Sequence, residues 1–184
     1  TPTQDQITNW GQNEYVVIDY MANNQAMNIN YVDAKGNNIA TFKVTGKTDQ
    51  TVDTNAQIPA GWVLVSGQTD APAKVTFGGT PLSDINIKIE HGMQTVPHTN
   101  PIPSDGKTSS GQPIKGAHDA DLNQTIVRTI NITEPGQATK TITQTAKIYR
   151  DATVDEVTGD VTYDPWSTDT TDWTSVDIPV HDGY

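Results

Sequence analysis

Cysteine is absent from the 184 residues. That removes disulfides, thiolate zinc sites, iron–sulfur clusters and a cysteine nucleophile. Positive charge is scarce: 11 Lys and Arg stand against 22 Asp and Glu, giving a formal net charge of -11. Nucleic-acid binders need clustered Lys and Arg to neutralise phosphates, so nucleic acid is not an expected partner. Anionic lipid attracts the same cationic residues, and no run of about 18 apolar residues occurs, so neither lipid attraction nor a membrane-spanning helix is expected. Aromatics make up 7% of the chain and charged residues 18%, below the roughly 25% of an average domain. The segment Thr1-Pro2-Thr3-Gln4-Asp5 lacks the basic and apolar regions of a signal peptide, and no methionine opens the chain. The sequence reads as an excised module or a mature chain.

What is present is β patterning. Threonine is the commonest residue, and Val/Ile/Thr/Tyr runs recur at period two, which separates this polar chain from a disordered one. Hydrophobic residues reach only 34%, which fits two small β domains end to end better than one large core. The first twelve residues are polar. Glu14 to Tyr20 reads as a strand, and Met27 to Asp33 alternates with Met27, Ile29 and Tyr31 on one face. Ala34-Lys35-Gly36-Asn37 then supplies a tight hairpin, and Ile39 to Val44 returns with Phe42 and Val44 on one face. Asp49 to Gln57 has no strand pattern; Thr51 or Asp53 as cap and Pro59 as stop predict a short helix. Gly61 to Val65, Lys74 to Phe77 and Asp84 to Glu90 read as further strands. Hairpin, short helix, then strands is the element order of a β-grasp, an α+β fold with one helix across a mixed sheet.

From Thr95 to Asp121 proline, glycine and serine dominate, as an interdomain linker or as a lead-in loop of the second half. The second half is almost pure strand. Gln124 to Thr133 sets Ile126, Ile130 and Ile132 against a Thr/Asn face, Glu134-Pro135-Gly136-Gln137 turns, and Thr139 to Arg150 returns with Ile142, Ala146 and Ile148 inward. Val161 to Tyr163 is a short strand, and Ser175 to Ile178 reads as a last one.

No catalytic set emerges. His91, His98, His118 and His181 have no partner at metal-ligand spacing, and no G-x-S-x-G elbow occurs. The expectation is a non-enzyme without a cofactor. Asp119-Ala120-Asp121-Leu122-Asn123 copies the start of a calcium loop, but Gln124 and Ile130 stand where that loop needs glycine and glutamate. No metal is therefore expected, and Asp119, Asp121 and Asn123 read as an Asx-rich turn before a strand. Trp166 and Trp173 lie in polar surroundings after Pro165 and are the candidate ligand-binding residues, since a sugar presents an apolar face and a hydroxyl rim. Trp62, in an apolar run, is expected in the core, and Trp10 is a candidate linker anchor.

Asn30-Tyr31-Val32-Asp33, Gly36-Asn37, Val44-Thr45-Gly46-Lys47, Gly61-Trp62-Val63-Leu64 and Ile85 to Ile89 resemble the mucin-binding (MucBP) domain of Gram-positive surface proteins. The family more often has Tyr at the position of Trp62. Val96-Pro97-His98, Asp121 to Thr125, Val127 to Ile130, Ile142-Thr143-Gln144, Tyr149 to Asp155, Val157 to Tyr163, Trp166, Trp173 and Gly183-Tyr184 resemble the second domain of lactobacillar mucus-binding (Mub) repeats. The resemblance implies an α+β, predominantly β chain of two elongated β-grasp (ubiquitin-like) related domains in tandem, at 1–92 and 93–184. It implies a repeat of a cell-wall-anchored, extracellular adhesin that binds host mucin glycoprotein or its glycans, with neighbouring repeats of the same chain as further partners. Fold analogy adds immunoglobulin, bound at a sheet edge, as an alternative partner, and a passive spacer is a third reading.

Overall fold

The computed structural model describes residues 21–170 and 172–180. The expected strand Glu14 to Tyr20, Trp10, His181 and Gly183-Tyr184 lie outside them. The chain is predominantly β, with two hydrophobic cores in series.

The first core is built on a hairpin. Strand β1 (Asn24–Val32) pairs antiparallel with β2 (Asn38–Lys47), and the register sets Ile29 against Phe42 and Met27 against Val44. The turn between them follows from Asp33, whose Oδ1 accepts the backbone N–H of Lys35 and of Asn37, while Gly36 takes φ of 84°. Residues at period two share a sheet face, so Met27, Ile29 and Tyr31 go inward together and are buried with Val44, Phe77, Ile87 and Ile89. Trp62 packs at the margin of this cluster.

Strand β3 is Thr51–Asp53, β4 Trp62–Leu64, β5 Lys74–Thr76 and β6 Ile85–His91. The main sheet runs β2-β1-β6-β4, with β1 and β6 parallel at its centre. A mixed sheet with a parallel central pair is compatible with a β-grasp. The helix expected over 49–57 does not form. Asp49 and Asn55 take positive φ, and Thr51–Asp53 pairs antiparallel with Lys74–Thr76, so a distant strand overrides the local capping signal.

The second core gathers Val96, Ile114, Ala117, Leu122, Ala152 and Val154. Strand β7 (Met93–Val96) pairs with β10 (Ala152–Asp155), which also pairs with β11 (Val161–Tyr163). The proline- and glycine-rich stretch supplies Ile114 and Ala117 to this core, so it belongs to the second unit rather than forming a free linker. A single helical turn, α1 (Asp119–Leu122), leads into a long hairpin of β8 (Asn123–Ile132) and β9 (Lys140–Tyr149). Short β12 (Ser167–Thr168) pairs with the end of β9. Residues 175–178 form no strand; this segment lies along the hairpin, with the Thr174 carbonyl accepting from Gln144 Nε2 at 2.7 Å.

The two units meet closely. The Glu156 N–H donates to the Gly92 carbonyl and the Gly92 N–H to the Gly61 carbonyl, at 2.8 and 2.7 Å. Beside them His91 Nδ1 lies 2.7 Å from Asp155 Oδ2, and Trp62 meets the His91 ring edge-on at 4.6 Å.

Candidate functional site

The hairpin's polar face ends in a cleft of about 480 Å³. Its register places Asn123 opposite Tyr149 and Thr125 opposite Lys147, so these four side chains share one face. The same parity across β9 and β12 brings Asp169 to Tyr149, because Ser167 is opposite Tyr149 and Asp169 is two residues on. The Tyr149 hydroxyl donates to Asp169 Oδ1 at 2.8 Å. That hydrogen bond to Asp169, and then its negative charge, push the Tyr149 hydroxyl above its ordinary pKa and keep it a protonated donor.

A second ring lines the cleft. His98 stacks on Tyr149 with centroids 4.2 Å apart and planes 22° from parallel. His98 is fixed by Asp151, whose Oδ1 accepts the His98 backbone N–H at 2.8 Å and sits 2.7 Å from Nδ1. The backbone bond first, then the side-chain bond, hold the Asp151 carboxyl below its usual range. Asn123 ties the remaining wall, its Nδ2 donating to the His98 carbonyl and to Asp119 Oδ1, both at 2.9 Å. The result is a pair of flat rings bordered by the carboxylates of Asp119 and Asp169, the amides of Asn123 and Gln124 and the ammonium of Lys147.

Of the residues singled out from sequence, Asp119 and Asn123 line this cleft. Asp121 is engaged elsewhere. Its Oδ2 accepts the His118 N–H at 3.1 Å, and its carbonyl accepts from Arg150 Nε at 2.9 Å. Among the described residues no group of three or more His, Cys, Asp or Glu is arranged to hold a metal ion.

The structure does not bring Trp166 and Trp173 together. Trp166 has the opposite strand parity to Tyr149 and lies with Arg150, whose guanidinium stands 4.3 Å from its ring and 3.8 Å from that of Tyr163. Trp173 lies near Arg128, 5.9 Å from guanidinium carbon to ring centroid. Arg128 pairs with Gln144, six residues before Arg150, so the two indoles sit on partners about 20 Å apart along β9. Each indole is 37% exposed.

His98, Lys147, Tyr149 and Asp169 line the cleft without standing out in the sequence as site residues. One signal is present: Thr139, Thr141, Thr143 and Thr145 share an outward face that continues through Lys147 to an aromatic, Tyr149. An aromatic closing a polar face marks the cleft. The contributions of His98 and Asp169 arise from packing and leave no local pattern.

A chain of two predominantly β units in series, with a polar, ring-lined cleft, has the design of a modular binding repeat. Residues 27–87 match the MucBP domain and residues 117–184 the Muc B2-like domain. The chain is a repeat of the Mub type, a MucBP domain followed by a Muc B2-like domain. The crystal structure of Mub-RV is similar at 25% sequence identity, covering 87% of this chain and 84% of that one with a TM-score of 0.53. The type 2 repeat of the mucus binding protein MUB from Lactobacillus reuteri is 16% identical over the same shares, with a TM-score of 0.40. Among curated proteins none matches the chain. No helix among the described residues is long and apolar enough to cross a membrane.

Proposed function

We propose that this chain is an adhesive repeat of a wall-anchored bacterial surface protein and that it binds host mucin glycoprotein, with a glycan seated in the cleft at Tyr149. The observation that supports this reading is the cleft's make-up in a chain of Mub type. A sugar ring offers an apolar face to the Tyr149–His98 pair and hydroxyl donors to the carboxylates of Asp119 and Asp169. The acidic rim selects neutral, hydroxyl-rich parts of a glycan. Trp166 and Trp173 are further stacking candidates at their own positions on the second unit. The repeat is a binding module and not a catalyst, divided between Gly92 and Met93. One repeat binds weakly, and repeats in series raise the effective affinity through multivalency.

The test is capture of the chain on immobilised mucin, native and enzymatically deglycosylated. Tyr149→Ala is expected to weaken capture roughly tenfold, the scale of one lost aromatic contact. Capture that survives deglycosylation unchanged would sink glycan recognition. A second reading draws on β2, a ten-residue strand at the edge of its sheet. Such an edge can accept a partner's strand, and glycan-free immunoglobulin fragments are the probe for it.

A further inference from the structure

A second site lies on the first unit, away from the cleft. The outward face of the β1–β2 hairpin holds three cross-strand pairs: Asn24 opposite Lys47, Ala26 opposite Thr45, and Asn28 opposite Lys43. The middle pair is small and the outer pairs are long. The small pair therefore forms the floor of a trough, with a lysine standing at each end. The pocket there measures about 600 Å³, and Gln50 closes its wall. The Gln50 side-chain carbonyl already accepts the Lys47 backbone N–H at 2.9 Å, which fixes that amide in place.

The charge of this trough runs against that of the molecule. The chain carries -11 overall, yet two lysines and no carboxylate line the pocket. Lys74 and Lys115 are matched by Asp53 and Asp160 at 3.5 and 2.7 Å. Among the described residues no carboxylate lies within ion-pair distance of Lys43 or Lys47. Two unmatched ammonium groups flanking the small Ala26–Thr45 floor make this a locally positive trough on an acidic chain. With no arginine among the lining residues, the two lysines act as point charges able to hold a tetrahedral oxyanion.

We infer that the trough over Ala26, between Lys43 and Lys47, binds the sulfate ester of a sulfated sugar. Lys43 and Lys47 contact the sulfate oxygens, and the side-chain amides of Asn24 and Gln50 contact the adjoining hydroxyls. The proposed function enters only as the source of such a sugar; the trough and its charge stand without it.

The test is an amide-resolved NMR titration of the full 184-residue chain with N-acetylglucosamine 6-sulfate, N-acetylglucosamine and glucuronic acid. The sulfated sugar is expected to shift the amides of Ala26, Thr45 and Gly46 saturably, and to lose affinity as salt is raised. The paired substitution Lys43→Gln and Lys47→Gln is expected to weaken this binding roughly tenfold or more, since each removes a charge-assisted hydrogen bond. Both lysines are exposed, so the rest of the spectrum stays in place and reports an intact fold. Glucuronic acid binding as well as the sulfated sugar, shifts confined to other residues, or binding indifferent to the paired substitution would each overturn the inference. Tyr149→Ala separates the two sites. Lost mucin capture with intact sulfate binding supports both, whereas loss of sulfate binding in that variant overturns the trough.

Discussion

Gly61 takes φ of 86°, and an added Cβ would stand 2.5 Å from the Glu156 carbonyl oxygen. Two penalties meet at one residue: a backbone conformation that side chains avoid and a collision with main chain that cannot swing aside. Gly61→Ala is expected to lower the unfolding free energy by about 2 kcal/mol or more, read by chemical denaturation. A variant within about 0.5 kcal/mol of the parent would show that the junction gives way at little cost. Gly61-Trp62-Val63-Leu64 is legible from sequence as an apolar run with a glycine before it. That the glycine abuts the Glu156 backbone is not, because the contact joins segments 95 residues apart. The histidines teach the same lesson. His91 and His98 look isolated in sequence because their carboxylate partners, Asp155 and Asp151, stand 64 and 53 residues away.

Strands are legible where apolar and polar residues alternate over a long run. Met27, Ile29 and Tyr31 announce β1, and Ile130 and Ile142 fall opposite each other in β8 and β9. The segment 49–57 misleads because β3 has three residues, too few for a period to show. The Thr51–Thr76 hydroxyl contact at 2.8 Å that accompanies its pairing is invisible to any local window. The cleft is half legible: Asp119 and Asn123 stand out, but their role as a wall depends on the helical turn and on β12. The two hairpins also differ in support. The β1 face is sealed in a core, whereas Ile126 and Val127 in β8 are 45% and 56% exposed. Local opening follows burial, so hydrogen exchange is expected to be slow at Ile29 and Tyr31 and faster toward the Ile132–Lys140 end of the second hairpin. Equal protection in both hairpins would contradict that ranking.

At the scale of the molecule, acid is the expected stress. Asp33, Asp84, Asp151, Asp155 and Asp160 all have folded-state pKa values below the ordinary 3.8. For Asp33 and Asp84 the first cause is an asparagine side chain donating to the carboxylate, and for Asp160 it is Lys115. Burial pushes Asp155 up, but the bonds from His91, Val157 and Thr158 outweigh it. A carboxyl whose pKa falls on folding stabilises the fold fully above its unfolded value and loses that contribution as pH drops through the folded one. Thermal unfolding midpoints are therefore expected to hold level in mildly acidic solution and to fall below about pH 4. Steady midpoints through that window would show that these bonds contribute little. Because Asp155 sits at the junction and Asp151 holds His98, acid is expected to loosen the seam between the units and the cleft together.

The parallel pairing of β1 with β6 carries a mechanical meaning. Pulling on the start of β1 and the end of β6 tugs the two strands in opposite directions along their length. Their hydrogen bonds are then sheared as a group rather than opened one after another. The β8–β9 hairpin is the converse, since Asn123 and Tyr149 lie side by side at its open end, so tension there peels the ladder from its base. Under tension applied at those points, the β1–β6 pair resists as one block while the β8–β9 ladder opens step by step.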